Sequence, residues 1–212
     1  RGWLVDFEGE GNRRGEFYRA VFSASGAPRE YFDGAQSLRG LSRYGASIPT
    51  EKFVAIGEGD SIILGGEAWR VLFTPGHASG LICFYDPGSR TLLSNDHLIR
   101  DITSNPILEG PVPGERERPR ALVDYIASMQ RTAELDARIA LPGHGESVTD
   151  VRALVESRVA FHRARCEVIE AHVRNGVETA YAIMQILFPR LKGMDVFLGL
   201  SEVIGHLDIL EG

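Results

Sequence analysis

The sequence predicts an α/β fold, and two observations carry that prediction. Between Phe53 and Gly145, short apolar runs alternate with tight turns, interrupted by one stretch of helical spacing. After Gly145 the pattern becomes helical to the end of the chain. A layered strand-and-helix body followed by a helical appendage is the expected order, with a boundary between residues 149 and 150.

Residues 1 to about 50 are polar and Gly-rich, with helical period around Phe17–Phe22. "SASGAPREYFD" reads as a break at Gly26 and Pro28 and then a short helix. In "SIILGGEAWRVLFTPGH" two apolar runs flank Gly65-Gly66, the pattern of a hairpin. Trp69, Val71 and Phe73 alternate with their neighbours as in a half-buried strand. "LICFY" is apolar throughout and reads as a buried strand, Asp86-Pro87-Gly88 as a turn, and "TLLSND" as the next strand. From Ala121 the residues Leu122, Tyr125, Ile126 and Met129 share one helical face, and "ARIALPGHG" is a short strand that breaks at Pro142-Gly143. Thr149 or Asp150 can cap a long helix that stops at Asn175-Gly176. Its apolar stripe is Val155, Val159, His162, Cys166, Ile169 and Val173. "TAYAIMQILF" is a second helix, and "VFLGLSEVIGHLDIL" a third with Phe197, Leu200, Ile204 and Leu207 on one face.

Composition bounds the function. The chain has 212 residues, 43% hydrophobic and 25% charged, enough for one large domain or two small ones. A net charge of −6 disfavours a broad nucleic-acid footprint. Cys83 and Cys166 both sit in apolar surroundings and are expected to be reduced packing residues of a cytoplasmic protein. No apolar run approaches the roughly 20 residues that span a bilayer, so no membrane partner is expected. The opening Arg1-Gly2-Trp3-Leu4 has neither a methionine nor a signal pattern, and the chain is expected to be a piece of something longer or a processed form.

The chemistry concentrates where strands end. His77 follows "RVLFTPG", Asp96 follows "TLLSN" and His144 follows "IALPG". Strand ends in one sheet lie side by side, so these three can converge. Imidazole nitrogen with carboxylate oxygen suits zinc, iron or manganese. The glycines before the two histidines allow sharp turns without a Cβ clash. Taken singly, each is an ordinary turn residue. Two near-identical turns, Thr74-Pro75-Gly76-His77 and Leu141-Pro142-Gly143-His144, with Asn95-Asp96-His97 between them, are far more specific together.

These motifs resemble the metallo-beta-lactamase superfamily, in the branch of hydroxyacylglutathione hydrolase-like proteins and beta-lactamase-like endoribonucleases. "TPGHASGLICFY", "LLSNDHLI" and "LPGHG" are similar to its third, fourth and fifth motifs. "FHRARCEVI", "TAYAIMQILFP" and "SEVIGHLDIL" are similar to a winged-helix-like appendage of that branch. The resemblance covers roughly residue 50 to the end. It implies an αββα sandwich over residues 1–149, with its N-terminal part missing, and a helical winged-helix-like domain over 150–212. It also implies two metal ions, with His77 serving one, His144 the other and Asp96 bridging. A metal-bound hydroxide would then act on a small-molecule ester or thioester. The family's His-x-His-x-Asp-His motif has no counterpart: the six histidines are His77, His97, His144, His162, His172 and His206, and no two stand as His-x-His. The expectation is therefore a partial site, with the remaining ligands upstream.

His97, Ser104 and Asn105 are expected to wall the substrate pocket, whereas His162, His172 and His206 are expected to be structural. "GERERPR", Gly114–Arg120, reads as a solvated loop that could also grip an anion. Two alternatives stay open: an RNA phosphodiester hydrolase of the same superfamily, and a catalytically incomplete fragment acting as a binding or dimerisation module. The partner expected is a small-molecule substrate. Nucleic acid is not favoured, and a homodimer is allowed.

Overall fold

A computed structural model describes residues 5–33 and 47–212. Part of the polar N-terminal stretch, residues 1–4 and 34–46, lies outside the described residues. The chain divides into two compact units, one of residues 1–55, 109–118 and 177–200, the other of 56–108, 119–176 and 201–212.

In the first unit, helix α1 (Phe7–Ala24) starts at Asp6, whose carboxylate accepts the Gly9 amide at 3.0 Å, an N-cap for an otherwise orphaned donor. Its buried face carries Tyr18 and Phe22, both edge-on to Phe197. The short helix α2 (Glu30–Asp33) follows the break at Gly26 and Pro28, as the sequence predicts. Residues Gly114–Glu117 of the charged loop are exposed.

The second unit holds one sheet of five strands in the order β1-β2-β3-β4-β5: β1 (Ser61–Leu64), β2 (Glu67–Phe73), β3 (Ile82–Asp86), β4 (Thr91–Asn95) and β5 (Ile139–Pro142). Neighbours are antiparallel except β4 and β5, which run parallel. The parallel pair needs a crossover, and helix α3 (Ala121–Ala133) lies within it. Gly65-Gly66 turns β1 into β2. Cross-strand register puts Leu72, Cys83, Tyr85, Leu92 and Ala140 on one face of the sheet. There they build the core with Leu122, Tyr125 and Met129 of α3 and with Val151 and Val155 of helix α4 (Val151–Arg174). On the opposite face Val71, Phe84, Leu93 and Leu141 form one continuous cross-strand row. Phe73 and Leu141, on that same face, are each 39% exposed. The apolar reading of "LICFY" reflects a sheet that is apolar on both faces, whereas the half-buried alternation expected of β2 fails, because the neighbours Val71 and Leu72 are both buried.

Helix α4 begins where Asp150 accepts the Ala153 amide at 2.9 Å and belongs to the same unit as the sheet, so residue 150 marks a helix start within that unit. Val155, His162, Cys166 and Ile169 are buried as the stripe predicts, but Val173, in the last turn, is 46% exposed. Thr179 caps helix α5 (Ala180–Leu187) by accepting the Ala182 amide. Helix α6 (Asp195–Leu210) buries Val196, Leu200 and Val203; of the predicted face only Leu200 is fully buried, while Phe197, Ile204 and Leu207 are half-buried. That helix is apolar on most sides, so period alone does not select the packed face. Cys83 and Cys166 are both free and buried. No described helix is long and apolar enough to cross a membrane.

Candidate metal centre

His77, Asp96 and His144 do converge. The turn after β2 delivers His77, the end of β4 delivers Asp96, and the turn after β5 delivers His144. Asp96 stands between the histidines: its Oδ2 lies 3.8 Å from His77 Nε2 and its Oδ1 3.5 Å from His144 Nε2. The three side chains are 27%, 40% and 58% exposed in the order His77, Asp96, His144, so the centre opens to solvent.

Two glycines make this approach possible. Gly76 holds φ +145°, and a Cβ there would stand 2.3 Å from Tyr125 Cβ. A Cβ on Gly143 would stand 3.0 Å from Asp96 Oδ1. Any side chain at Gly143 would crowd the carboxylate between the two histidines.

Supporting hydrogen bonds fix the loops. The His77 Nδ1 is 3.0 Å from the Asn105 carbonyl, an acceptor only, so Nδ1 carries the proton and Nε2 keeps its lone pair toward Asp96. This is the arrangement by which an imidazole is oriented for a metal ion. Ser104 donates to the Asp96 carbonyl, Ser94 to the Leu98 carbonyl at 3.0 Å, and the Tyr125 hydroxyl to the His97 carbonyl at 2.8 Å. Arg158 reaches the carbonyls of Ile99 and Arg100 at 3.3 and 2.8 Å.

The structure gives the expected pocket residues other surroundings. Ser104 and Asn105 act on the centre through hydrogen bonds to Asp96 and His77. The His97 ring is wholly buried, with Nε2 2.9 Å from Thr132 Oγ1 and its face edge-on to Tyr125. Thr132 passes its own proton to the Ser128 carbonyl, so His97 Nε2 is the donor and Nδ1 faces no partner. Burial first, and Arg131 second, hold that imidazole down at about 4, so it stays neutral. Sequence reasoning missed Tyr125, which sits on a helical stripe that reads as plain core, and gave Thr132 no role. It also assigned nothing to Asn95.

The donor set fits a borderline divalent cation. Donors that share one tetrahedral zinc at about 2.0–2.1 Å stand about 3.3 Å apart, close to the two separations here. Among the described residues, though, no three His, Cys, Asp or Glu side chains close into a cage able to hold an ion alone. The arrangement is one histidine and one carboxylate oxygen on each side.

The sequence profile described as metallo-beta-lactamase superfamily matches residues 11–144, more than half the chain. The chain belongs to the metallo-beta-lactamase superfamily. It is 36% identical over 195 residues to the probable metallo-hydrolase YqjP of Bacillus subtilis, covering 92% of this chain and 60% of YqjP. It is 25% identical over 166 residues to the atrochrysone carboxyl ACP thioesterase of Aspergillus fumigatus, covering 73% of this chain and 49% of that protein. Among solved structures, a metallo-beta-lactamase family protein from Thermus thermophilus superposes with a TM-score of 0.71 at 29% identity, covering 98% of this chain and 65% of that one. The chain thus spans less than two thirds of the length of each of these relatives.

Proposed function

We propose that this chain carries part of the centre of a metal-dependent hydrolase that acts on a small-molecule ester or thioester. One observation carries the reading: the Asp96 carboxylate turns one oxygen to each of two histidines. His77, Asp96 and His144 would hold the ions, and zinc suits the donors best. Such an ion supplies a Lewis acid that polarises a carbonyl and lowers the pKa of water. His77 is held in the ligating tautomer by Asn105. Ser104 holds the backbone that aims Asp96, and buried, neutral His97 anchors the helix behind it. The probable metallo-hydrolase and the thioesterase among its relatives support the reaction class. The net charge of −6 supports a small substrate over RNA. The three donors are too few for two ions, and the absence of a closed cage among the described residues supports an incomplete site. The fold is read as an αββα sandwich with a winged-helix-like appendage, a reading that the three successive helices after residue 150 support.

The test compares this chain with a longer one carrying a His-x-His-x-Asp-His segment ahead of residue 1. Both are assayed on acyl thioesters, aryl esters and RNA, with zinc and with chelator. The expected result is chelator-sensitive thioester or ester turnover in the longer chain, lost in Asp96→Ala, and little in this one. RNA cleavage without ester turnover would overturn the substrate class. No turnover by the longer chain on any substrate would overturn the hydrolase.

A further inference from the structure

The centre is aimed by a residue that touches no ion. Asn95 ends β4 with φ +46°, in the left-handed region, which only glycine and, among side-chain residues, chiefly asparagine and aspartate enter readily. The β4–β5 ladder is irregular between Leu93 and Asn95. Its side-chain amide donates from Nδ2 to the Ile82 carbonyl at 2.7 Å, at the start of β3. Its own carbonyl accepts the Gly143 amide at 3.0 Å, one residue before His144. A single residue therefore ties three strands at the end where Asp96 and His144 emerge. The Gly143 Cα approaches so closely that a Cβ there would stand 3.6 Å from the Asn95 backbone and 3.0 Å from Asp96 Oδ1.

We infer that Asn95 is a positioning residue for the metal centre: its left-handed backbone turns Asp96 toward the histidines, and its amide clamp to Ile82 fixes the distance between Asp96 and His144. The inference rests on the reading of His77, Asp96 and His144 as metal ligands. Both properties are needed together. Glycine supplies the backbone without the clamp. Aspartate keeps the shape and tolerates the backbone, but its carboxylate cannot donate and would face the Ile82 carbonyl acceptor to acceptor. Alanine supplies neither.

The experiment is a Co²⁺ titration of this chain, followed by NMR of the histidine ring nitrogens and protons, with thermal melts recorded beside it. In the wild type the His77 and His144 rings should respond together with one midpoint. In Asn95→Asp and Asn95→Gly the midpoint should move to about tenfold higher Co²⁺, the scale of losing a supporting hydrogen bond around a metal ligand. The two rings should then respond at different concentrations. A structural role alone would lower the melting temperature and leave the two rings titrating as in the wild type. Asn95→Gly has no repulsive contact and guards against misfolding of Asn95→Asp. If Asp96→Ala abolishes the wild-type response while both folded Asn95 variants keep it, the positioning role is overturned and the metal reading stands. If the wild type gives no response, or Asp96→Ala leaves it unchanged, the metal reading falls and the inference with it.

Discussion

Gly76 and Tyr125 are in contact with no room for another atom between them. A Cβ on Gly76 would stand 2.3 Å from the Tyr125 Cβ and 2.5 Å from its Cα. Helix α3 thus sits directly on the turn that delivers His77. The hydroxyl of the same tyrosine holds the His97 carbonyl, next to Asp96. One helical residue therefore sets the loops of two of the three donors.

Gly76→Ala should be strongly destabilising. It combines a backbone conformation that L-residues avoid with an overlap against helix backbone, together costing about 2–4 kcal/mol. Urea unfolding should show a lower midpoint at unchanged slope. Wild-type stability in this variant would mean that α3 does not seat where the contact places it.

Asp96 and His97 are neighbours with opposite burdens, and substitution should separate them. Asp96 is 40% exposed, so Asp96→Ala should change stability by no more than about 0.5 kcal/mol while removing metal response. His97 is 0% exposed and bonded to Thr132, so His97→Ala should cost about 2–4 kcal/mol. Once folded, that variant should lose less metal response than Asp96→Ala. Equal losses of metal response from the two would count against Asp96 as the shared donor.

A pair of buried histidines should make stability depend on acid. His206 Nδ1 donates to the Glu202 carbonyl at 2.6 Å, which leaves Nε2 to accept from His162 Nδ1 at 3.1 Å. Burial is the main cause that holds both at about 4. His206 and the arginines Arg158 and Arg165 add to it at His162, and Arg165 adds to it at His206. Each binds a proton more readily when unfolded, so their contribution is full above the unfolded value near 6.5. It is lost as pH falls from there toward 4. The loss should be on the order of 1–3 kcal/mol for each histidine. Replacing both by an uncharged pair such as His162→Gln with His206→Gln should make the fall in melting temperature between pH 6.5 and 4 clearly shallower, leaving the part that buried His97 contributes. An equally steep acid slope in that double variant would show that other groups carry it.

Neither thiol should react in the native state. Cys83 is 0% exposed, and burial pushes its thiol up to about 12, with only Thr74 opposing. Cys166 is raised for the same reason. A thiol reagent should label neither until the chain is unfolded, when both should label. Rapid native labelling of Cys83 would mean that the face between the sheet and α3 opens.

The sequence was most legible where a residue has few uses. The Pro-Gly-His turns, the Asp150 cap and the Gly65-Gly66 hairpin each announce a local geometry, and all three stand in the structure. The convergence of His77, Asp96 and His144 could be read because strand ends in one sheet must be neighbours. Residues with two readings were harder. Tyr125 lies on a helical stripe and reads as core, although its hydroxyl and its backbone support two loops. Asn95 at a strand end carries no signal of its own, and its left-handed backbone cannot be seen without the ladder irregularity that precedes it. His97 beside an aspartate reads as a pocket residue, yet the bend at Asn95 sends its ring into the core. On α6 the apolar residues are too evenly spread for period to choose Val196, Leu200 and Val203 as the buried set.

The central claim is that Asp96 joins His77 and His144 into one donor set. The most direct measurement is zinc binding by this chain, read by the ring resonances of all six histidines, in the wild type and in Asp96→Ala. His77 and His144 should shift together, at modest affinity, and both shifts should vanish in Asp96→Ala while His97, His162, His172 and His206 stay still. Shifts confined to other histidines, or His77 and His144 shifts that survive the loss of Asp96, would contradict the claim.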